Sequence, residues 1–198
     1  MNKHHNKNSH RRHRFIKVCG QMYTGTVDCA VAYGADYVGF NFCTGSERYV
    51  SPSHVARMKS ALVKRVGVFS SQGTQEILDI MQESHLHMAQ LQGCHSVSDA
   101  ATIGSGRVMR VLRVEKSCTR AALQEEVDAW APFCCAFLVE CEDAALLRRV
   151  EFPHPWVLSG RMELGKLQRM LHLCSPDGVD IDSCAESSEL MAAMRTIS

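Results

Sequence analysis

The feature that most constrains the fold is an alternation of short apolar, β-branched runs with segments of helical periodicity, beginning at Phe15. This alternation is typical of βα units, whose parallel strands form a sheet with the helices packed outside it. Eight parallel strands are the number that closes a barrel of this kind. The eight predicted strands are Phe15–Cys19, Tyr37–Phe42, Arg65–Phe69, Met88–Gln92, Val108–Val114, Cys134–Glu140, Trp156–Leu158 and Val179–Asp182.

An open, doubly wound sheet is the alternative architecture, but it has fewer strands at this length and a glycine-rich turn after the first one. Here the first turn reads Gly20-Gln21-Met22-Tyr23, and Gly104-Ser105-Gly106 precedes a strand instead of opening a helix. The sequence therefore predicts an α/β protein, a single (βα)8 barrel of the TIM type over residues 15–198.

Three helix starts support this division of the chain. Ser51-Pro52 fits an N-cap followed by the first helical residue, and Thr74 precedes an apolar helical stripe. Ser96 and Asp99 have the spacing of a capping box. The intervening segments are therefore predicted to be helices.

The first fourteen residues differ in composition from the rest. Met1–Arg14 holds five Lys and Arg residues and four of the ten histidines, with no apolar residue after Met1. Such a segment cannot join a core, and we predict a disordered basic extension in preference to a nucleic-acid or metal-binding arm. It also lacks the apolar centre of an export signal, which favours a cytoplasmic location.

Composition narrows the function classes further. The chain is 45% hydrophobic with a net charge of +1, which argues against nucleic-acid binding, and no apolar run reaches membrane-spanning length. The ten cysteines include no Cys-x-x-Cys pair, which argues against a zinc site and against a disulfide framework. We expect reduced thiols packed as small hydrophobic residues, with no metal.

Cys19 is the thiol with the most distinctive position. Alternation along the first strand places Phe15, Lys17 and Cys19 on one face, which points into a closed barrel. Cys19 is then at the C-terminal end, where barrel enzymes place their active sites. A neighbouring Lys17 ammonium favours the thiolate over the thiol, as a base or nucleophile requires. Simple packing of Cys19 is the alternative.

Glu140 ends an otherwise apolar strand, which is costly unless its carboxylate reaches a polar barrel mouth. A thiol and a carboxylate at one mouth would form a base and acid pair. A solvated residue at the strand-to-helix turn, together with Glu142 and Asp143, is the alternative. Glu142 is also an alternative acid if the strand continues.

Several motifs of this chain occur together in one known family, in its order and at its approximate spacing. They are Lys17-x-Cys19-Gly20, Gly34-Ala35-Asp36-x-x-Gly39-Phe40-x-Phe42, Ser46-x-Arg48-Tyr49-Val50-Ser51-Pro52, Val66-Gly67-Val68-Phe69, Gln90-Leu91-x-Gly93 and Gly178-Val179-Asp180. On these residues the chain resembles phosphoribosylanthranilate isomerase, a tryptophan-pathway enzyme that folds as a (βα)8 barrel.

The resemblance implies an aldose–ketose isomerase, an intramolecular oxidoreductase that needs no cofactor or metal. Its reaction is the Amadori rearrangement of N-(5-phosphoribosyl)anthranilate, a phosphorylated small molecule. The family's base corresponds to Cys19, and its acid, an aspartate, corresponds to Glu140. The predicted substrate-binding residues are Arg48, Gln90, Gln92, Arg113, Gly160, Arg161 and Ser183.

The second half departs from the family pattern. Glu140 is not followed by the family's glycine-rich loop, and Ser159-Gly160-Arg161 keeps one glycine of two, although Arg161 could supply a phosphate fork. Asp182-Ser183-Cys184 replaces Ser-Ser-Gly and brings a carboxylate near the phosphate position. That carboxylate repels phosphate unless Arg161 or another cation offsets it.

Two substitutions affect the sugar and anthranilate end of the site. Gln92 replaces a family histidine, and Glu140 is one methylene longer than the family's aspartate. A displacement of about 1 Å costs on the order of 100-fold in rate, which predicts weak activity. A barrel retained as a binding or interaction protein is the competing function, and an isomerase or synthase of another phosphorylated sugar is a third.

Overall fold

The computed structural model describes residues 14–58, 63–141, 143–160 and 163–182. The strands are β1 Phe15–Cys19, β2 Tyr37–Asn41, β3 Lys64–Phe69, β4 Met88–Leu91, β5 Val108–Arg113, β6 Ala136–Glu140, β7 Trp156–Ser159 and β8 Gly178–Asp182. The helices are α1 Thr24–Ala32, α2 Pro52–Arg57, α3 Thr74–Glu83, α4 Val97–Ile103, α5 Arg120–Trp130, α6 Ala144–Leu147 and α7 Leu164–Cys174. Except for Arg14, the predicted N-terminal extension lies outside the described residues.

The eight strands form one closed parallel barrel in chain order, with β8 paired to β1. The predicted fold class is therefore confirmed, and the strand ends differ from prediction by two residues at most. The largest difference is at β6, which begins at Ala136 and not at Cys134. A 3₁₀ turn at Ala131–Phe133 precedes it, and the strand pairing with β5 starts only at Ala136 opposite Met109.

Two of the three predicted helix starts are confirmed. Ser51 caps α2 by accepting from the His54 N–H at 3.3 Å, and Ser96 and Asp99 form a reciprocal capping box on α4. The third start is off by one residue, because Gly73 occupies the cap of α3 and Thr74 is its first helical residue. The Thr74 hydroxyl donates to Asp99 instead, at 2.5 Å, and so links α3 to the start of α4.

The barrel wall separates two apolar layers. Between the strands and the helices lies the larger one, to which α3 contributes Ile77 and Met81. Inside the barrel lies a smaller layer, which consists of Val66, Met109, Val111, Ala136, Leu138 and Val157. The inner layer is apolar toward the N-terminal ends of the strands, and the polar inner residues lie toward the C-terminal ends.

The described residues include nine cysteines, and none of these nine is in a disulfide. Cys43, Cys134 and Cys141 are buried, as expected of thiols used as small hydrophobic residues. That expectation is wrong for Cys29, on the solvent side of α1, and for Cys94, in the loop after β4, which are both exposed. No helix in the described ranges has the length and apolar character needed to cross a membrane.

Candidate active site

Alternation along the strands brings several polar side chains to the inner face at one end of the barrel. Cys19, Arg113, Glu140 and Asp182 each end their strand, and parallel strands in a barrel share one C-terminal end. In the register of the sheet Cys19 is paired with Asp182, and Arg113 with Glu140. The structure thus places both predicted catalytic residues at the same mouth.

A buried ion pair lies below Cys19. The Lys17 Nζ donates to Asp180 Oδ1 at 2.8 Å, and the Ser159 hydroxyl donates to Asp180 Oδ2 at 3.1 Å. The Lys17 side chain is completely buried, and the Asp180 side chain is 7% exposed. A buried ammonium is tolerated only with such partners, because an uncompensated buried charge is strongly destabilising.

The Lys17 ammonium also acts on the Cys19 thiol, whose pKa it lowers. Gly39 on β2 makes room for both residues, because a Cβ there would lie 3.0 Å from the Cys19 Sγ and 3.0 Å from the Lys17 Nζ. The absence of a side chain at Gly39 therefore lets the ammonium and the thiol share one small space.

The charges around Cys19 act on its pKa in opposite directions. Burial is the largest influence and raises the thiol pKa above its usual value, Lys17 lowers it, and Asp180 raises it. The expected effect of Lys17 is present, but burial outweighs it, so the neutral thiol is the favoured form. Burial lowers the pKa of Lys17, yet Asp180 and Cys19 outweigh that effect, so its pKa is raised and the ammonium keeps its charge.

Glu140 faces solvent across the mouth. Its Oε2 accepts from the Arg113 Nε at 3.1 Å, in a pair whose side chains are 36% and 59% exposed respectively. An exposed pair of this kind contributes little to stability and can open easily. Glu140 is therefore accessible to a ligand in the barrel mouth, and Arg113 is the residue that orients it.

Arg48 occupies the opposite side of the mouth, in the loop between β2 and α2. Its guanidinium forms an ion pair with Asp182, and each side chain keeps about 30% of its surface exposed. The cation that offsets Asp182 in the described residues is therefore Arg48.

Three further predicted binding residues lie at this end of the barrel. Gln90 is buried on the inner face of β4, and its Oε1 has no partner among the described residues. The Gln92 amide donates to the Cys43 Sγ at 3.5 Å. Gly160 follows β7 with φ of 121°, a backbone conformation that favours glycine, and it is exposed.

The remaining predicted residues, Arg161, Ser183 and the alternative acid Glu142, lie outside the described residues. Within the described ranges, no group of three His, Cys, Asp or Glu side chains is placed to hold a metal ion. The side chains described at the mouth carry a thiol, carboxylates, amides and guanidinium groups.

Sequence reasoning missed the partners of Lys17. Asp180 and Ser159 lie at inward positions of neighbouring strands, and closure of the barrel brings β8 against β1. A lysine at an inward position of β1 was the available signal, because such a charge requires a carboxylate on an adjacent strand. Gln21 was missed too: it is fully buried, and its amide atoms have no partner among the described residues.

Comparison with known proteins identifies the family of the chain. Residues 16–133 match the family described as N-(5'-phosphoribosyl)anthranilate (PRA) isomerase. The N-(5'-phosphoribosyl)anthranilate isomerase of Desulfovibrio desulfuricans is 37% identical over 183 residues, which cover 87% of each chain. The chain belongs to the phosphoribosylanthranilate isomerase family.

Other relatives and solved structures point the same way. The isomerase of Maridesulfovibrio salexigens is 28% identical and covers 87% of this chain and 89% of its own. A solved phosphoribosylanthranilate isomerase in complex with reduced 1-(o-carboxyphenylamino)-1-deoxyribulose 5-phosphate superposes with a TM-score of 0.74 at 26% identity, covering 86% of this chain and 87% of that one. The Thermus thermophilus isomerase has the same fold, with a TM-score of 0.78 at 24% identity over 92% of this chain and 98% of its own.

Proposed function

We propose that this family member is a phosphoribosylanthranilate isomerase of tryptophan biosynthesis, with Cys19 as the base and Glu140 as the acid. The reaction converts N-(5-phosphoribosyl)anthranilate into 1-(2-carboxyphenylamino)-1-deoxyribulose 5-phosphate. The observation that carries the assignment of roles is the meeting of a strand-end thiol on β1 and a strand-end carboxylic acid on β6 at one barrel mouth.

Glu140 acts first. Its proton passes to the ribose ring oxygen, the bond from that oxygen to C1 breaks, and the nitrogen lone pair forms a C1–N double bond, giving an iminium ion. The carboxylate that pairs with Arg113 has no proton to donate, so Glu140 takes one up before each turnover. The exposure of the pair allows that exchange with solvent.

Cys19 acts second. As the thiolate it removes the proton from C2, and the electrons of that bond form the C1–C2 double bond while the iminium nitrogen becomes neutral. The resulting enol converts to the C2 ketone as C1 gains a proton from solvent and the C2 hydroxyl loses its own to solvent. Cys19 then releases to solvent the proton that it took from C2, which restores the thiolate. Because the iminium carries positive charge, its formation beside Cys19 favours the thiolate at the moment when the base is needed.

Polar groups around the mouth suit the rest of the substrate. The Gln90 Oε1 has no partner among the described residues and can accept from a sugar hydroxyl, and the exposed Gly160 backbone can approach a phosphate closely. Arg48 supplies a guanidinium fork for an anionic group of the substrate.

The nine described cysteines are free thiols, which supports a cytoplasmic location for this activity.

The test is turnover of freshly prepared N-(5-phosphoribosyl)anthranilate by the full chain, followed as loss of its fluorescence, with the product identified by mass spectrometry. We expect saturable consumption and formation of the aminoketose without added metal. Tight binding of the reduced product analogue without any turnover would contradict the proposal and favour a barrel retained for binding.

A further inference from the structure

The ion pair between Arg48 and Asp182 joins two parts of the chain that are 134 residues apart. Arg48 reaches the mouth from a loop with its own anchor: the Ser46 hydroxyl accepts from the Arg48 N–H at 3.2 Å and from the Asn41 amide at 2.9 Å. Asn41 is the last residue of β2. The loop thus holds the Arg48 backbone near the barrel, while its guanidinium reaches across to β8.

Asp182 brings the other end of this pair to the catalytic thiol. It ends β8, and its Cα is paired with that of Cys19 in the sheet. Both side chains of the ion pair remain partly exposed, at 30% and 29%. A ligand that occupies the mouth beside Cys19 can therefore reach the Arg48 guanidinium, but it meets the Asp182 carboxylate there.

The charges of the described inner face are balanced in pairs. Three cations, Lys17, Arg48 and Arg113, each hold one carboxylate, those of Asp180, Asp182 and Glu140 respectively. Lys17 is buried with its partner and cannot exchange it readily. An anionic substrate group that binds Arg48 or Arg113 must therefore displace the carboxylate that the cation already holds. Arg48 is the one of these two whose carboxylate, that of Asp182, is paired with Cys19 in the sheet.

We propose that Asp182 is a positioning residue that competes with the anionic group of the substrate for Arg48. In the free enzyme Arg48 is held by Asp182, and on binding its guanidinium passes to a carboxylate or phosphate of the ligand. The apparent affinity is reduced by the fraction of molecules in which Arg48 is free, so a pair closed in nine molecules of ten weakens binding about tenfold. The inference rests on the proposed function only in assigning substrate binding to Arg48.

The test compares wild type with Asp182→Asn, which keeps the shape and removes the charge. Calorimetry measures binding of reduced 1-(o-carboxyphenylamino)-1-deoxyribulose 5-phosphate and, separately, of ribose 5-phosphate, and turnover gives KM and kcat. We expect the variant to bind the reduced analogue about tenfold more tightly and to lower KM by a similar factor, with kcat changed less than twofold.

The second ligand identifies the group that Arg48 takes. If Asp182→Asn binds ribose 5-phosphate more tightly than wild type by the same factor as the reduced analogue, Arg48 binds the phosphate. If only the reduced analogue binds more tightly, Arg48 binds the carboxylate. Glu47→Gln is the matched control, because it removes the same charge from the exposed neighbour of Arg48; it should leave both affinities unchanged. If Asp182→Asn fails to fold, Asp182→Ser serves the same comparison.

Unchanged or weaker binding of the reduced analogue by the Asp182 variants would overturn the inference, as would the absence of binding to all the proteins. Tightening without turnover in either protein supports the inference while contradicting the proposed function. Normal turnover without tighter binding contradicts the inference and supports the proposed function. Failure of the inference can therefore be told from failure of the proposed function.

Discussion

The thiol of Cys19 has an ammonium and a carboxylate within electrostatic reach, and they act on it in opposite directions. Lys17 lowers its pKa, while burial and Asp180 raise it, with burial the largest of the three. Asp182, the partner of Cys19 in the sheet, is held by Arg48. Gly39, facing it from β2, brings no charge. Lys17 is therefore the group that keeps the thiolate accessible.

Replacing Lys17 by Met should slow alkylation of Cys19. Loss of the ammonium removes the main influence that lowers the thiol pKa, so the pKa rises further and less thiolate is present at pH 8. One pKa unit corresponds to a rate about tenfold lower. The measurement is iodoacetamide labelling over time, quantified for the peptide that contains Cys19 in mass spectra.

The exposed Cys29 of the same molecule is the internal control, and its labelling rate should not change. Because Lys17→Met leaves Asp180 buried without its cation, labelling is run only where denaturant curves show folded protein. An unchanged Cys19 rate in folded protein would show that Lys17 does not act on the thiol.

Glu140 provides a second prediction on single residues. Glu140→Gln keeps the shape of the side chain but cannot donate an acidic proton, so kcat should fall on the order of 100-fold or more. Glu140→Asp restores the acid of the family and should retain measurable turnover. Steady-state assays of both variants test this, and full activity of Glu140→Gln would remove Glu140 from the mechanism.

Single residues were predicted from the sequence where position alone determines their surroundings. Cys19 and Glu140 end predicted strands, and alternation was enough to place both at the mouth. The pairing of Arg48 with Asp182 was not predicted, because a loop residue has no periodicity that fixes its partner across 134 positions. The sequence predicted that Lys17 lowers the pKa of Cys19, but not that burial outweighs this effect, since burial depends on side chains from several strands.

At the scale of elements, Arg65 links β3 to two helices. Its side chain lies on the outer face of the barrel and is buried, and its guanidinium donates to the carbonyls of Val55 at 3.2 Å, Ser84 at 3.1 Å and Met58. Val55 and Met58 lie at the end of α2, and Ser84 follows α3. One cation therefore donates to carbonyls at the C-terminal ends of two helices.

Arg65→Gln should destabilise the fold, because the shorter amide cannot reach all these carbonyls and leaves buried acceptors unpaired. We expect a loss of about 2–4 kcal/mol in the free energy of unfolding. Urea denaturation measures it, with Arg57→Gln on the exposed side of α2 as the matched control. Equal stability of the two variants would contradict this role of Arg65.

The strands were the part of this structure that the sequence predicted best. Each apolar run became a strand because its residues are β-branched or apolar and pack between two layers. Its ends shifted by two residues at most, and the largest shift is at Ala136, where a 3₁₀ turn precedes the strand. The hydrogen-bond partners of Arg65 could not be predicted from the hydrophobic pattern. A charge inside an apolar run is compatible with a buried strand only when partners from elsewhere in the fold surround it.

At the scale of the whole molecule, barrel closure creates the site. β8 pairs with β1, and that single contact brings Asp180 and Asp182 beside Lys17 and Cys19, more than 160 residues away in the chain. The proposed acid, Glu140, comes from β6 and the proposed base from β1, so neither half of the sequence contains the complete pair. Family motifs concentrated before Gly93 therefore locate the base side of the site better than the acid side.

Turnover of N-(5-phosphoribosyl)anthranilate by wild type, Cys19→Ala and Cys29→Ala under identical conditions tests whether Cys19 is the base. Loss of the base should lower kcat by about 100-fold to 10,000-fold, while the exposed control on α1 should match wild type. Wild-type turnover equalled by Cys19→Ala would contradict the account, because the reaction would then proceed without the thiol at the end of β1.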